Sequence, residues 1–329
     1  MPDRRTLESA VALACRAPSL HNSQPWRWVL GAHALTLYSD NDRILPATDP
    51  SGRQMVLSCG TALDHLRTAL AAQRWSSAIE RMPRSPDRQC LATLRFRRLD
   101  ESSDTEPSDT GARLAAAIAR RRTERLPMAA PPEWPSTVTL LQELAEDAGA
   151  HLDGIGEDER AALDDVSRRI SGEKRADPAY LSELNWWTGH AMFPEGVPAD
   201  TLPAAGSAVA VEREFPPGRA TSETSGEQDH AAILLLSTAT DRRLDWLRCG
   251  EALSAVLLAC TDRGLATCTV THLTESEDSR AFLRGLTGDG VPQVLIRAGV
   301  RTPPGPETPT PRRPLSEVLF REHPESDSR

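Results

Sequence analysis

The spacing of apolar residues predicts helices and strands in mixed order along the chain. Near the N-terminus, Leu7, Val11 and Ala14 recur at helical intervals. A longer helix is predicted from about Arg53 to Gln73, because its apolar residues fall on one stripe. Further helices are predicted over 112–122, 137–148, 157–170 and 244–263. Strands are predicted over 26–30, 35–38, 91–96, 231–237, 267–272 and 291–298.

Two stretches interrupt this pattern. Residues 100–110 are rich in Ser, Asp, Glu and Pro, which is the composition of a flexible linker. Residues 171–203 combine Trp186 and Trp187 with several prolines and glycines. This mixture predicts an irregular loop that packs on the rest of the protein.

One pattern occurs twice, at 53–63 and at 243–253. Both copies carry Arg, Leu, Cys-Gly and Ala-Leu at equal spacing, and strands are predicted before and after each copy. The shared order of elements indicates an internal duplication. Two such units packed as an internal pseudo-dimer would bury the repeated helices against each other.

A polar loop separates the first helix from the first strand. It reads Arg16-Ala17-Pro18-Ser19-Leu20-His21-Asn22-Ser23-Gln24-Pro25-Trp26-Arg27-Trp28. Pro18 and Pro25 restrict the backbone, and the side chains between them supply several hydrogen-bond donors and acceptors. Such a loop suits a flat heterocycle with polar groups along its edge. The alternative is an ordinary turn, capped by Asn and Ser, above a core that contains the tryptophans.

The pattern Pro18-Ser19-x-x-Asn22-x-Gln24-Pro25-Trp26 resembles the flavin-contacting loop of the nitroreductase superfamily. The full run from Arg16 to Trp28 resembles the Acg family of actinobacterial nitroreductase-like proteins, and the resemblance extends over nearly the whole chain. It implies an α+β nitroreductase-like fold in which two pseudo-equivalent halves form an internal pseudo-dimer. We expect the first half at 1–105 and the second at 106–329, with a lid-like insertion near 171–203. The implied cofactor is one noncovalent flavin mononucleotide (FMN).

The resemblance also assigns arginines to the FMN phosphate. Nitroreductases bind this phosphate with an Arg-Arg-Ser-x-Arg motif, and the second half carries Arg121-Arg122-Thr123-Glu124-Arg125. Clustered guanidinium groups neutralise a dianion, whereas the alternative for this cluster is a solvated basic helix end. A C-terminal arginine adds to the phosphate contacts in the superfamily, which indicates Arg312 ahead of Arg313.

The two halves carry complementary parts of such a site. The first half has the polar loop without a matching arginine motif, and the second half has the reverse, so the resemblance implies one complete FMN site per chain. The flavin ring is expected against Pro18, Ser19, Leu20, Asn22 and Gln24 on one side, and against Cys268 and Thr269 of the 266–272 stretch on the other. His272 is the catalytic candidate, as a proton donor; the alternative is a structural histidine at a strand end.

The implied function is electron transfer from NAD(P)H through FMN to a small electron-poor acceptor. No Gly-x-Gly-x-x-Gly dinucleotide fingerprint occurs in the sequence, as expected where the nicotinamide stacks on the flavin. The alternative is an FMN-binding or sequestering protein without turnover, in which Trp186 and Trp187 cover the ring. A second interpretation of Trp186 and Trp187 is that they form a hydrophobic plug on the surface of the domain. The sequence leaves the acceptor, and the choice between NADH and NADPH, open.

Composition and the N-terminal sequence bear on the partners and the location of the protein. The net charge of −9 argues against general nucleic-acid binding, and no apolar run approaches the roughly 20 residues of a membrane span. The N-terminus has no apolar signal core, so we expect a cytoplasmic protein. Internal fusion removes the need for a dimer without forbidding one, so we expect a monomer or a homodimer. None of the six cysteines forms a C-x-x-C pair, so we expect no zinc site and mostly buried thiols.

Overall fold

The computed structural model describes residues 1–99, 109–188, 195–204, 209, 211–220, 228–288, 290–301 and 310–322. The helices are α1 (Arg4–Ala14), α2 (Arg53–Ala71), α3 (Asp109–Arg120), α4 (Trp134–Asp147), α5 (Glu157–Arg175), α6 (Pro178–Trp186), α7 (Arg243–Asp262) and α8 (Glu277–Thr287). The strands are β1 (Trp26–Leu30), β2 (Leu35–Ser39), β3 (Trp75–Arg81), β4 (Cys90–Arg98), β5 (Met128–Ala129), β6 (His151–Ile155), β7 (Ala232–Thr238), β8 (Ala266–Val270), β9 (Val291–Arg301) and β10 (Leu319–Arg321). No described helix is both long and apolar enough to cross a membrane.

The first sheet has the strand order β10-β1-β2-β4-β3. Strand β1 buries alternate residues, and the Trp26 and Trp28 side chains are fully buried in a core cluster that includes residues of α2. Strand β10 runs parallel to β1, with Trp28 opposite Leu319. The C-terminal strand therefore completes the sheet built by the first part of the chain.

The second sheet has the order β5-β9-β7-β6, and β8 also pairs with β9. Strand β9 is buried along most of its length, including its polar residues Gln293 and Arg297. One core cluster contains residues of α4 and α7, and another contains residues of α5 and α8. The two clusters are the hydrophobic cores between this sheet and its helices.

The repeated helices α2 and α7 pack directly on each other, as the duplication predicts. A Cβ atom added to Gly60 would lie 2.1 Å from the Leu247 carbonyl oxygen, and one added to Gly250 would lie 2.0 Å from the Leu57 carbonyl oxygen. These contacts are reciprocal, because Gly60 aligns with Gly250 and Leu57 with Leu247 in the repeat. Each of these leucines also packs in the hydrophobic core of the other copy. Leu247 belongs to the cluster around the first sheet, and Leu57 belongs to the cluster around α7.

The structure corrects the prediction of an irregular loop over 171–203. Helix α5 continues to Arg175, and α6 follows at once. Pro178 occupies the first turn of α6, where a missing amide donor costs nothing, and Asp177 caps the helix by accepting from the Ala179 amide at 2.9 Å. Pro178 therefore marks the start of a helix here, and Trp186 is its last residue. Residues 189–194 of this stretch lie outside the described residues.

The boundary between the halves falls in a similar gap. The predicted division at residue 105, and most of the predicted linker at 100–110, lie outside the described residues. The division at 105 stays a prediction.

Candidate functional site

The polar loop between α1 and β1 is held on helix α2. Thr61 Oγ1 donates a hydrogen bond to the Pro18 carbonyl oxygen at 2.8 Å, and the Leu20 amide donates to Ser58 Oγ at 3.3 Å. These small hydroxyl residues let the loop lie close to the helix. The loop therefore has a fixed position relative to the junction of α2 with α7.

The loop backbone is also strained. His21, Asn22 and Gln24 have positive φ angles of 48°, 56° and 51°, a conformation that non-glycine residues rarely adopt unless surrounding contacts impose it. The Asn22 side-chain amide supplies two such contacts, donating to the carbonyl oxygens of Gly196 at 3.0 Å and Pro311 at 3.2 Å. Segments far apart in sequence thus converge on the loop.

A basic pocket lies where this loop meets the segment after α3. Its arginines are Arg16, Arg121, Arg122, Arg125, Arg301 and Arg312. The Glu124 amide donates to the Thr267 carbonyl oxygen at 2.8 Å, which places the segment along β8. The two carboxylates of the lining have arginine partners: Glu124 lies 2.8 Å from Arg301, and Asp200 lies 3.7 Å from Arg219.

The positive charge of the basic pocket exceeds what its carboxylates balance. Among the described residues, the Nε atoms of Arg16, Arg121, Arg122 and Arg312 are buried without a hydrogen-bond partner. Burial, followed by repulsion from Arg122 and Arg16, lowers the pKa of Arg121 to about 10. Burial and repulsion from Arg121 lower the pKa of Arg312 to about 9. An anion in this pocket would accept these N–H groups and relieve the repulsion.

A second pocket, which we call the ring pocket, adjoins the basic one. The two pockets share Pro18, Ser19, Thr123, Arg125 and Val197. The remaining lining comes from the polar loop, α2, α7, β8 and the segment before β7: Leu20, His21, Gln54, Leu57, Ser58, Thr61, Glu212, Arg213, Phe215, Leu253, Cys268, Thr269, Val270 and Thr271. Apolar walls with hydroxyl and amide groups, next to a basic pocket, suit a phosphorylated aromatic heterocycle.

Burial keeps the histidine and the thiol of the ring pocket uncharged. His21 is 5% exposed, and burial lowers the pKa of its imidazole well below the usual value. Burial raises the pKa of the Cys268 thiol. Arg213 is held in a buried ion pair with Glu275, and its Nη1 donates to Tyr180 Oη at 2.7 Å.

The structure brings most of the sequence-predicted residues to these two pockets. The basic pocket includes Pro18, Ser19, Asn22, Arg121, Arg122, Arg125 and Arg312. The ring pocket includes Pro18, Ser19, Leu20, Arg125, Cys268 and Thr269. Asn22 and Arg121, which belong to different halves, line the same pocket. Gln24 is fully buried and lines neither pocket; its Oε1 accepts from the Arg313 amide at 2.8 Å, so it ties the C-terminal segment to the loop.

His272 also lies apart from the linings of both pockets. Its ring is 1% exposed, and its Nε2 lies 2.9 Å from Ser167 Oγ on α5. Burial lowers the pKa of His272 to about 3, so the side chain is neutral at physiological pH. This environment favours the structural interpretation of His272 over the catalytic one.

Trp186 and Trp187 are not among the described residues that line the ring pocket. Both line a separate cavity with Asp40, Asp42, Arg43, Glu195 and Arg313, and Trp186 is 64% exposed. The described lining of the ring pocket therefore gives no support to the interpretation of this pair as a cover over the ring, which stays a prediction. Phe215 and Val197 line the ring pocket.

Sequence reasoning missed several residues of the site. Arg16 stands inside the stretch that carries the family resemblance, so its proximity to the motif was the available signal. Glu212, Arg213 and Phe215 belong to an irregular segment, which has no periodicity to mark them. Their role depends on long-range packing that the sequence pattern does not express.

Comparison with known proteins decides the family. The chain is 43% identical over 330 residues to acg of Mycobacterium tuberculosis, a protein provisionally named an NAD(P)H nitroreductase, with 97% of this chain and 98% of acg covered. This chain belongs to the Acg family of nitroreductase-like proteins. A second member from the same species, Rv3131, also provisionally named an NAD(P)H nitroreductase, is 38% identical over 97% of this chain and 92% of its own length. No protein-family model matches the chain.

A solved structure extends the comparison to the fold. A provisionally assigned nitroreductase from Anabaena variabilis aligns with a TM-score of 0.50 at 10% identity, over 91% of this Acg-family chain and 89% of its own. At that identity the likeness concerns the fold alone. Because it spans both halves, it confirms the predicted α+β nitroreductase-like fold with two halves fused in one chain.

Proposed function

We propose that this Acg-family protein binds one FMN between its halves and uses it to transfer electrons from NAD(P)H to a small electron-poor acceptor. The supporting observation is the basic pocket, where four arginine Nε atoms are buried without an acceptor among the described residues and which adjoins the ring pocket. Its family members in M. tuberculosis carry NAD(P)H nitroreductase names. A phosphate and a flat heterocycle, joined in one ligand, match the two pockets together.

The residues divide by the part of FMN that they would hold. Arg121 and Arg312 would bind the phosphate, with further charge from Arg16, Arg122 and Arg125. Pro18, Ser19 and Leu20 would contact the ring from the first half, and Cys268 and Thr269 from the second. Asn22 and Gln24 would act through the shape of the loop, because their amides already bind protein carbonyl or amide groups. When bound, FMN supplies the two-electron redox chemistry that amino-acid side chains lack.

The chain itself would supply position, charge and exclusion of water. The arginines compensate the phosphate charge, and the strained loop presents Ser19 and Leu20 at a fixed place. Neutral His21 and Cys268 add no charge to the ring pocket. Phe215 packs edge to face on His21, with ring centroids 5.8 Å apart, and reduces the water that reaches the pocket.

This proposal also covers location and partners. The described cysteines are free and buried, which suits the cytoplasm, where NAD(P)H is available. The partners would be NAD(P)H and the acceptor, with the protein acting as a monomer or homodimer. Two fused halves form the site without a second chain.

A second candidate function is FMN sequestration without turnover. The observation that favours it is the wall formed by Arg213 and Phe215, since Arg213 is anchored by the buried Glu275 carboxylate. A wall anchored in this way would resist opening for a nicotinamide. The two functions differ only in whether the bound ring is accessible.

Anaerobic stopped-flow mixing of the FMN-loaded protein with NADPH, and separately with NADH, distinguishes them. We expect the flavin absorbance band to bleach in a single exponential whose rate rises with the nucleotide concentration. A band that is unchanged after prolonged incubation would reject the oxidoreductase and support sequestration. In that case Phe215→Ala, which opens the wall, is expected to restore bleaching. Failure of the protein to bind FMN would reject both functions.

The His272→Gln variant tests the catalytic candidate from the sequence. We expect FMN affinity and the rate of flavin bleaching to change by less than about twofold, because His272 lies outside both pockets and stays neutral. Glutamine preserves a donor and an acceptor for Ser167. A loss of at least tenfold in the bleaching rate, with FMN affinity retained, would return His272 to a catalytic role.

A further inference from the structure

Glu212 is a carboxyl group in the lining of the ring pocket. Its Oε1 is buried and has no hydrogen-bond partner among the described residues. An unpaired buried carboxylate oxygen is costly, so its retention beside a ligand pocket calls for an explanation. The following inference rests on the proposed binding of FMN.

The charged groups around Glu212 have other partners, although Arg297 Nη1 is buried without a hydrogen-bond partner among the described residues. Arg297 on β9 is the strongest charge that favours the carboxylate, but its guanidinium forms an ion pair of 2.9 Å with Asp229, which precedes β7 and itself opposes ionisation of Glu212. Arg125, after α3, lies over the Phe215 ring at 5.4 Å. Glu124, which opposes ionisation of Glu212, is itself paired with Arg301. Glu212 therefore faces both signs of charge, and no described residue forms an ion pair with it.

Burial dominates the ionisation of this carboxyl group. It raises the pKa of Glu212 to about 7, although Arg297 and Arg125 act in the opposite direction. The unfolded chain would titrate near the ordinary glutamate value, so the ionised form costs folding free energy as the pH rises from about 4 towards 7. Near neutral pH the ligand-free pocket thus holds a mixture of carboxylic acid and carboxylate.

The other titratable groups of the ring pocket do not change charge in this range. Buried His21 is neutral, the Cys268 thiol is protonated, and Arg213 is fixed as a cation by Glu275. Among the described residues that line the ring pocket, Glu212 is therefore the group that can gain or lose a proton near neutral pH.

We propose that Glu212 takes up a proton when FMN fills the site and then stands as a neutral carboxylic acid in the wall of the ring pocket. An uncharged ring excludes water from the carboxyl group, and the FMN phosphate brings two negative charges into the adjoining pocket. Both changes disfavour the carboxylate. Glu212 would act towards the ring or the acceptor as a hydrogen-bond donor.

A neutral Glu212 beside the ring could donate a proton during reduction of the acceptor. An acceptor that gains a hydride from NAD(P)H by way of the cofactor gains two electrons and one proton, and it needs one further proton for neutral product. The Glu212 carboxylic acid can supply that proton, and the resulting carboxylate regains a proton from water. Neither His272 nor Cys268 is then required as an acid.

Calorimetric titration with FMN tests the proton uptake directly. At pH 8 the phosphate of FMN is already dianionic, since its second pKa is about 6, so it contributes little to the proton count. Titrations in two buffers of different ionisation enthalpy give the number of protons bound per FMN. We expect about half to one proton for the wild-type protein and close to none for Glu212→Gln.

Glu214→Gln is the matched control. Glu214 is exposed, lies two residues away and pairs with Arg175 at 3.1 Å, so this variant is expected to keep the wild-type proton count. Glu212→Gln is isosteric, and its retained FMN binding shows that it has folded. The FMN affinity of the wild type should also fall several-fold between pH 7 and pH 8.5, whereas that of Glu212→Gln should be flat.

The outcomes separate this proposal from the proposed function. Absence of FMN binding by the wild type rejects the function and the proposal together. FMN binding with equal proton counts for the wild type and Glu212→Gln rejects the role of Glu212 alone. If Glu212→Gln does not fold, Glu212→Asp replaces it; this variant must still take up a proton, and a wild-type count of zero would overturn the proposal without any variant.

Discussion

Replacement of Arg121 by glutamine is expected to weaken FMN binding by about 100-fold or more while the ligand-free protein remains at least as stable as the wild type. A hydrogen bond to a charged group contributes about 1.5–3 kcal/mol, and a phosphate bound through two such bonds loses both in this variant. The stability expectation has a separate cause. Burial and neighbouring guanidinium groups lower the pKa of Arg121 to about 10, so its ionised form costs folding free energy at any pH below that value.

The measurements for Arg121→Gln are FMN titration by flavin fluorescence and urea unfolding without ligand. Arg120→Gln is the control, because Arg120 is the exposed final residue of α3 and its loss should leave both quantities nearly unchanged. Adding FMN should raise the unfolding midpoint of the wild type and of Arg120→Gln much more than that of Arg121→Gln. If Arg121→Gln bound FMN as tightly as the wild type, this result would contradict the assignment of the basic pocket to the FMN phosphate.

Replacement of Gly60 by alanine is expected to destabilise the protein by about 3 kcal/mol, because the new Cβ atom would lie 2.1 Å from the Leu247 carbonyl oxygen. The atom in the way belongs to helix backbone, so relief requires α2 and α7 to move apart. The same helices carry Leu57, Ser58, Thr61 and Leu253 in the ring pocket. We therefore expect weaker FMN binding together with the lower unfolding midpoint.

Gly172→Ala provides the matched control for the helix crossing. Gly172 lies on α5 with nothing within 4 Å of an added Cβ atom, so alanine there should stabilise the helix by about 0.5–1 kcal/mol. Gly250→Ala, at the equivalent position of the other copy, should resemble Gly60→Ala. Equal stability of Gly60→Ala and Gly172→Ala would contradict the close crossing of the repeated helices.

The sequence predicted the parts of the fold that depend on local pattern. Strand β1 was predicted at Trp26–Leu30 and found there, and α2 was predicted within two residues of its end at Ala71. Helix α6 was missed, because Pro178 and the tryptophans were interpreted as breakers although proline fits a first helical turn. Strand β10 was missed because three residues carry too little periodicity, and their pairing with β1 depends on the closed fold.

In the candidate site, too, the sequence predicted local motifs but not the contacts between distant segments. The polar loop and the arginine motif were recognisable as motifs, and the structure brings Asn22 and Arg121 to one pocket. Gln24 could not be assigned from the motif alone, since its hydrogen bond with Arg313 depends on how the C-terminal segment crosses the loop. Phe215 and Glu212 reach the ring pocket from an irregular segment, and only the folded chain reveals their place.

The duplicated architecture gives one site per chain a physical basis. The polar loop comes from one copy and the arginine motif from the other, and the crossing of α2 with α7 fixes the distance between the halves. The pseudo-equivalent position contains neither set in complete form in the sequence. Divergence of the two copies would therefore have retained one FMN site per chain.

The most direct test of the account is the number of FMN molecules that the flavin-free, full-length protein binds. Calorimetric titration should give one FMN per chain, with affinity lost in Arg121→Gln and retained in Arg120→Gln. Two equivalent FMN molecules per chain would contradict the single site between unequal halves. A titration with no binding heat, and a protein that stays colourless after gel filtration with FMN, would contradict the account as a whole.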